Sequence, residues 1–286
     1  MSGVAVVTDT THYLPPELVM ANDIHEVSLY VNWPDAQERE SELSSFDAFY
    51  ARLRDARNLP TTSQPSVGDF LAVYEPLLAQ GRDVLSIHLS GGISGTVESA
   101  RQAAAQCPAG RVQVLDSSTA CGGLGLVALA AARGAREGIG IEACLARARQ
   151  ARERLTLWFA IDTLEYLVRG GRIGRAQGMV GAALKIKPIL SVESDITPVE
   201  RVRTSARAFA RMVEMLRTLR SDGVDGWVVQ HIQAPAEAAR LADEGRAIFG
   251  TEPVFVSEIG PVIGAHVGPG LIGAGGVPRV LLDARP

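Results

Sequence analysis

The 286-residue sequence contains no window close to the roughly 18 uninterrupted apolar residues that a spanning helix needs, so no transmembrane segment is expected. Its first residues, MSGVAVVTDTTHYLP, have no basic stretch and reach Asp9 after a few apolar positions. They read as a first strand rather than a signal peptide, and a cytoplasmic location is expected. There are only three cysteines, Cys107, Cys121 and Cys144, an odd number without metal-type spacing. Reduced, partly buried thiols are expected, because a free cysteine behaves as a small hydrophobe. His12, His25, His88, His231 and His266 show no ligand spacing either, and no metal site is expected. A formal net charge of −4 gives no global bias toward nucleic acid or anionic membrane. Repeat arrays, low-complexity tracts and long linkers are all missing.

Several catalytic signatures are missing as well. No stretch fits G-x-x-x-x-G-K-[ST], which argues against an intrinsic ATP site. In Gly92-Ile93-Ser94-Gly95-Thr96, Thr96 stands where a nucleophile elbow requires glycine. Gly123-Leu124-Gly125 has no third glycine at the dinucleotide spacing. No cofactor and no catalytic residue is therefore expected.

What is present is enough apolar sequence, 47% of the residues, to fill two cores, and the length exceeds the usual size of one. In the first half, short β-branched runs alternate with Ala/Leu-rich helical segments, the pattern of a parallel sheet with crossover helices. Strands are expected near Val4 to Thr8, Val27 to Val31, Val84 to Leu89 and Val112 to Leu115. Helices are expected at Pro15 to Ala21, Ser45 to Asn58, Val67 to Gln80, Gly95 to Gln106, Gly122 to Glu137 and Ile141 to Arg154. Beyond Arg154 the texture changes. A strand at Leu157 to Ile161 leads to a helix at Thr163 to Val168, the turn Arg169 to Arg172 and a Gly/Ala-rich helix. A hairpin follows from Ile189 to Glu193 and Val199 to Arg203, then strands at Gly226 to Gln233 and Pro253 to Gly260 around a helix at Pro235 to Phe249. A short last strand is expected at Arg279 to Leu282. The expected fold is α/β with a mostly parallel, Rossmann-like domain at 1–155 and a domain with a mixed or antiparallel sheet at 156–286. A ligand tunnel would lie between and within them, and the last strand could return to the first domain.

Four segments carry chemistry. Ser90 to Thr96 follows a strand and opens a helix, where glycines allow close backbone approach, the N–H groups around Gly95 are unpaired, and Ser94 and Thr96 add hydroxyls. That set suits a carboxylate or phosphate, although a simple helix cap would read the same way. Thr61-Thr62-Ser63-Gln64, between Pro60 and Pro65, offers three hydroxyls and an amide, and Ser66 with Asp69 makes an approximate capping box. Ile259 to Gly270 holds four glycines and two prolines around His266, and reads as a folded-over loop that fixes the imidazole. Arg169 to Arg175 and Arg201 to Arg203 are basic clusters that could face a phosphorylated group or lipid head groups, so a transient contact with a membrane surface is conceivable. Asp9 and Asp116, each followed by hydroxyl residues at the end of a strand, suit helix capping or the ligand edge of a parallel sheet.

Taken in order, Thr8-Asp9-Thr10-Thr11, Thr61 to Ser66, Ser90 to Thr96, Asp116-Ser117, Leu164 to Ile173, Lys187-Pro188-Ile189 and Ile259 to Gly270 resemble the DegV family of bacterial fatty acid-binding proteins. The resemblance implies a two-domain α/β fold with an acyl chain buried inside and its carboxylate held by Thr62, Ser94 and His266, with Thr61 assisting. It also implies a basic residue near the head group at Arg203. The implied partners are a long-chain fatty acid and a separate ATP-dependent fatty acid kinase, whose acyl phosphate product feeds phospholipid synthesis. No nucleic acid is expected. Gly91 after Ser90, Val97 after Thr96 and His12-Tyr13 depart from the family pattern and could shift chain-length or unsaturation preference. The rival readings are a serine-type acyl ester hydrolase, with Ser94 as nucleophile, His266 as base and Asp9 or Asp116 orienting it, and a lipid-sensing regulator that contacts nucleic acid.

Overall fold

A computed structural model describes residues 3–181 and 186–282. In chain order the elements are β1 (Val4–Asp9), α1 (Pro16–Ala21), β2 (Ile24–Val27), β3 (Tyr30–Trp33), β4 (Ala36–Arg39), α2 (Phe46–Asp55), β5 (Thr61–Ser63), α3 (Val67–Ala79), β6 (Asp83–His88), α4 (Thr96–Ala104), β7 (Val112–Asp116), α5 (Gly122–Arg136) and α6 (Ile141–Arg154). There follow β8 (Thr156–Ala160), α7 (Glu165–Arg169), β9 (Lys187–Glu193), β10 (Asp195–Val202), α8 (Ser205–Ser221), β11 (Gly226–Ile232), α9 (Pro235–Phe249), β12 (Phe255–Glu258), α10 (Pro261–Val267) and β13 (Leu271–Val277).

The first sheet is parallel, in the order β2-β1-β6-β7. Both faces of β1 are covered, because alternate residues point opposite ways. Ala5 and Val7 meet Phe70, Tyr74 and Ala100 of α3 and α4, while Val4 and Val6 join the cluster that contains Leu124, Val127 and Ala128 of α5. The second sheet is mixed, in the order β10-β9-β8-β13-β11-β12, with only the β11–β12 pair parallel. Ala160, Ile189, Val229 and Ile272 pack on α8 and α9, where Trp227 stacks on Phe249 with centroids 5.1 Å apart. The opposite face, with Leu157, Phe159 and Val228, joins the α5 cluster. Helix α5 thus lies between the two sheets, buried at nearly every position. A third, antiparallel sheet, β4-β3-β5, carries the Thr61 to Ser63 segment.

Four expectations need correction. The strand read at Val27 to Val31 is two strands in different sheets. Ser28 Oγ donates to Leu29 O and accepts from Ser41 N, and Leu29 N donates to Thr10 Oγ1, so the backbone leaves the parallel ladder there. The loop read around His266 is helix α10, with Pro261 at its first position. The last strand is β13, and Arg279–Leu281 is a 3-10 turn tied to α5 through Arg133 and Val280 O. Strand β13 was hidden by its glycines, which make room for neighbours: a Cβ on Gly273 would lie 2.6 Å from the Phe159 ring. Of the helix expected after Arg172, Gly174–Met179 forms a 3-10 turn, and 182–185 lie outside the described residues, as do 1–2 and 283–286. Helix α8, absent from the sequence reading, is a 17-residue helix capped by Thr204.

Candidate functional site

A cavity of about 330 Å³ opens between the three sheets, within the size range of small-molecule sites. Leu29, Leu89, Ile93 and Cys121 wall it from the first half of the chain. Phe159, Ile161, Leu190, Val192, Ile196 and Leu271 wall it from the second, and Val262, Ile263 and Val267 of α10 complete the apolar lining. Its polar groups are few: chiefly Thr62, Ser63, Gln64, Ser94, His266 and Arg172.

Thr62 lies on β5, and its Oγ1 is 2.7 Å from Nε2 of His266 in the last turn of α10. Burial, helped by the positive charge of Arg172, pushes the imidazole down to about 4, so it is neutral at physiological pH. Nδ1 is buried without a hydrogen-bond partner among the described residues. Gly170 lies against it, and a Cβ there would stand 2.5 Å from Nδ1. This close approach explains one glycine of the Arg169 to Arg172 turn.

Ser94 sits in the loop between β6 and α4. Its Oγ is 2.8 Å from Thr96 Oγ1 and accepts from Thr96 N at 3.3 Å. The loop is fastened at its other end: Gly91 N donates to the Asp116 carboxylate, and Ser90 Oγ donates to Ser194 O in the β9–β10 turn. Gln64 packs against Gly95 and donates to Ser99 Oγ at 2.9 Å, which joins this loop to β5.

Of the residues singled out from sequence, Thr62, Ser94, Gly95 and His266 come together on the cavity wall. Thr61 does not: it is one position along a strand from Thr62, so its side chain points the other way and is exposed. Thr96 is buried and bonded to Ser94, but does not line the cavity. Arg203 is exposed just beyond β10 and away from the lining; the arginine at the cavity is Arg172. Gln64 and Arg172 were both visible in their motifs, but only folding shows which members of each motif face inward.

The hydrolase constellation is not assembled among the described residues. His266 has no carboxylate on either nitrogen. Asp116 caps Gly91 and Ser118, and Asp9 bonds His88, Thr11 and Leu89 N. A Ser-His-Asp array does exist elsewhere, with Ser86 Oγ 2.6 Å from His88 Nε2 and His88 Nδ1 3.0 Å from Asp9. All three residues are wholly buried, and Tyr74 OH donates to Ser86. No substrate reaches them.

The three cysteines are free, and Cys121 and Cys144 are buried. Burial pushes Cys144 up to about 11. Among the described residues no group of three His, Cys, Asp or Glu side chains could hold a metal ion, and no helix is long and apolar enough to cross a membrane.

Comparison with known proteins matches residues 3–279 to the model of a family described as uncharacterised protein, DegV family. A DegV domain-containing protein of Streptomyces coelicolor is 39% identical over 274 residues, 94% of this chain and 96% of that one. Among solved structures, a Thermus thermophilus DegV family protein described by its fatty acid binding superposes with a TM-score of 0.87 at 35% identity, covering 96% of this chain and 99% of that one. Bacillus subtilis DegV, described as a fatty acid binding protein, gives the same TM-score, identity and coverage. With the α/β architecture of a parallel and a mixed sheet shared across nearly the whole chain, this protein belongs to the DegV family.

Proposed function

We propose that the protein binds one long-chain fatty acid, with its carboxylate at Thr62, Ser94 and His266 and its chain among the apolar residues of both sheets. The observation that carries this reading is a mostly apolar cavity with a small polar set containing the 2.7 Å Thr62–His266 pair and Ser94. The fatty acid binding described for the Thermus and Bacillus relatives supports it. A carboxylate removed from water needs several donors, and here two hydroxyls, a neutral imidazole and the Arg172 cation are at hand. A chain of about sixteen carbons has on the order of 10 kcal/mol of transfer free energy available at roughly 0.8 kcal/mol per CH₂, before ordering costs. The reading divides the chain into 1–155 and 156–286, with the acyl group between them.

The reading extends to presentation of the carboxylate to a separate ATP-dependent kinase, in keeping with the missing P-loop motif. In this role the protein is a carrier without catalytic residues or cofactor, works in the cytoplasm, and meets the membrane only transiently.

Mass spectrometry of an organic extract of the purified protein tests the first part. The expected result is one long-chain fatty acid per chain, lost in a Ser94→Ala, His266→Ala double variant. A wild type that is empty and takes up no added fatty acid refutes the reading. Incubating the loaded protein with a fatty acid kinase and ATP tests the second part: acyl phosphate should form only when both proteins are present.

A further inference from the structure

Helix α10 carries His266 near its C-terminal end but has no cap of its own at the other. Gly260, its N-cap, has no side chain to accept from the first N–H groups. The acceptor comes from a residue 222 positions away. Glu40, in the 3-10 turn that follows β4, is 3% exposed, and its Oε1 accepts from Val262 N at 2.8 Å and from Tyr13 OH at 2.9 Å. Tyr13 OH in turn accepts from Ile263 N at 3.3 Å. Tyr50 of α2 donates to Ile259 O at 2.7 Å and to Gly260 O at 3.1 Å. The fit is close: a Cβ on Gly260 would lie 2.7 to 2.8 Å from Tyr13, Glu40 and Phe46. Glu40 follows β4 and Thr62 lies on β5, so the same small sheet holds α10 at both ends.

Glu40 is also an unusual group to bury. Among the described residues no cationic side chain pairs with it, whereas the other buried carboxylate, Asp9, hydrogen-bonds His88, Thr11 and Leu89 N. The titratable groups around it are Asp9, Tyr13, Tyr50 and Cys121, none of them cationic, and Thr10 lies close by. A buried carboxyl with no opposite charge is costly. Leucine or methionine would fill such a space more cheaply if volume were the only need.

We propose that Glu40 is a positioning residue for the head-group site: by terminating α10 from across the molecule, with Tyr13, it sets where His266 meets Thr62 and so sets affinity for the carboxylate end of the ligand. This rests on the fatty acid reading for its ligand, and on the clasp alone for its geometry. Burial pushes the Glu40 carboxyl up to about 7, against the hydrogen bonds from Val262 N and Tyr13 OH, which pull it down. The acceptor is needed in either protonation state, so glutamine should substitute for it.

The test compares Glu40→Leu, Glu40→Gln and Tyr13→Phe with wild type by palmitate binding, by amide exchange at Val262 and Ile263, and by the imidazole resonances of His266. Glu40→Leu should lose at least tenfold in affinity, exchange both amides faster and shift the His266 signals. Glu40→Gln should stay within about threefold of wild type. Tyr13→Phe should lose a few-fold and speed exchange at Ile263. The proposal is overturned if Glu40→Leu binds within twofold of wild type, or if Glu40→Gln is impaired as badly as Glu40→Leu. Should Glu40→Leu not fold, Tyr13→Phe decides: unchanged affinity and exchange overturn the clasp. If wild type binds no fatty acid, the fatty acid reading fails, while amide exchange and the imidazole signals still decide whether Glu40 and Tyr13 hold α10.

Discussion

Two histidines of this protein each bond a hydroxyl, and they differ in everything else. His88 stands in the core of the parallel sheet, with Ser86 on one nitrogen and Asp9 on the other, sealed from solvent. His266 stands on a cavity wall with Thr62 on one nitrogen and, among the described residues, no partner on the other. The residue with triad-like connections has no access, and the residue on the cavity wall has no carboxylate among the described residues. The hydroxyl–imidazole–carboxylate pattern is thus sealed in the core in one place, and a hydroxyl–imidazole pair lines a cavity in the other. Asp9 belongs to the sealed array. Burial alone would push its carboxyl up, but His88, Thr11 and Leu89 N together hold it below its ordinary value.

Breaking the buried array should have the largest effect. Asp9→Ala leaves His88 and Leu89 N without their acceptor and is expected to cost about 3–5 kcal/mol of stability, read from urea unfolding. If it costs under 1 kcal/mol, the array is not structural. Next in size, Ser94→Ala with His266→Ala should weaken palmitate binding about 100-fold while leaving the unfolding midpoint nearly unchanged. This reverses the pattern expected for Asp9→Ala.

A smaller effect sharpens the comparison through pH. The His266 imidazole is lowered from 6.5 to about 4, so its contribution to stability is present above about pH 6.5 and is lost as pH falls toward 4. The Glu40 carboxyl is raised from 4.5 to about 7, so the folded state holds its proton more tightly, and stability falls as pH rises from about 4.5 to 7. Between about pH 4.5 and 6.5 the two slopes oppose each other. The thermal midpoint of His266→Gln should therefore decline more steeply with rising pH than that of wild type, and that of Glu40→Gln should climb relative to wild type. Parallel profiles for all three proteins would contradict both assignments. The smallest effect separates two arginines: Arg172→Ala should weaken palmitate binding a few-fold, and Arg203→Ala should leave it within error. Equal losses would place the head group elsewhere.

Much of this was legible in the residues. The short β-branched runs of β1, β6 and β7 alternate with helical segments, and that alternation announced a parallel sheet with crossover helices. The polar segments Thr61 to Gln64 and Ser90 to Thr96, and the lone His266, pointed to the residues that meet at the cavity. What escaped was governed by distant contacts. Strand β13 is glycine-rich because Phe159 and other neighbours crowd it, so it lacks the β-branched signature of a strand. Helix α10 was disguised by Gly260, Gly264 and Gly268, and its stabilising acceptor, Glu40, lies in a different part of the sequence. Within β5, only the direction of the pleat distinguishes Thr62 from Thr61.

The place of β13 also bears on how the molecule is made. It sits between β8 and β11, although it follows both in the chain and α10 immediately precedes it. As the polypeptide leaves the ribosome, β8 and β11 therefore present bare edges until residues near Val277 emerge, and the pairing that joins them comes late. Helix α10 appears just before it, so the wall bearing His266 is among the last parts of the cavity to be synthesised. A nascent chain stalled before Leu271 should display unpaired strand edges and draw chaperones, whereas one released just past Val277 should not.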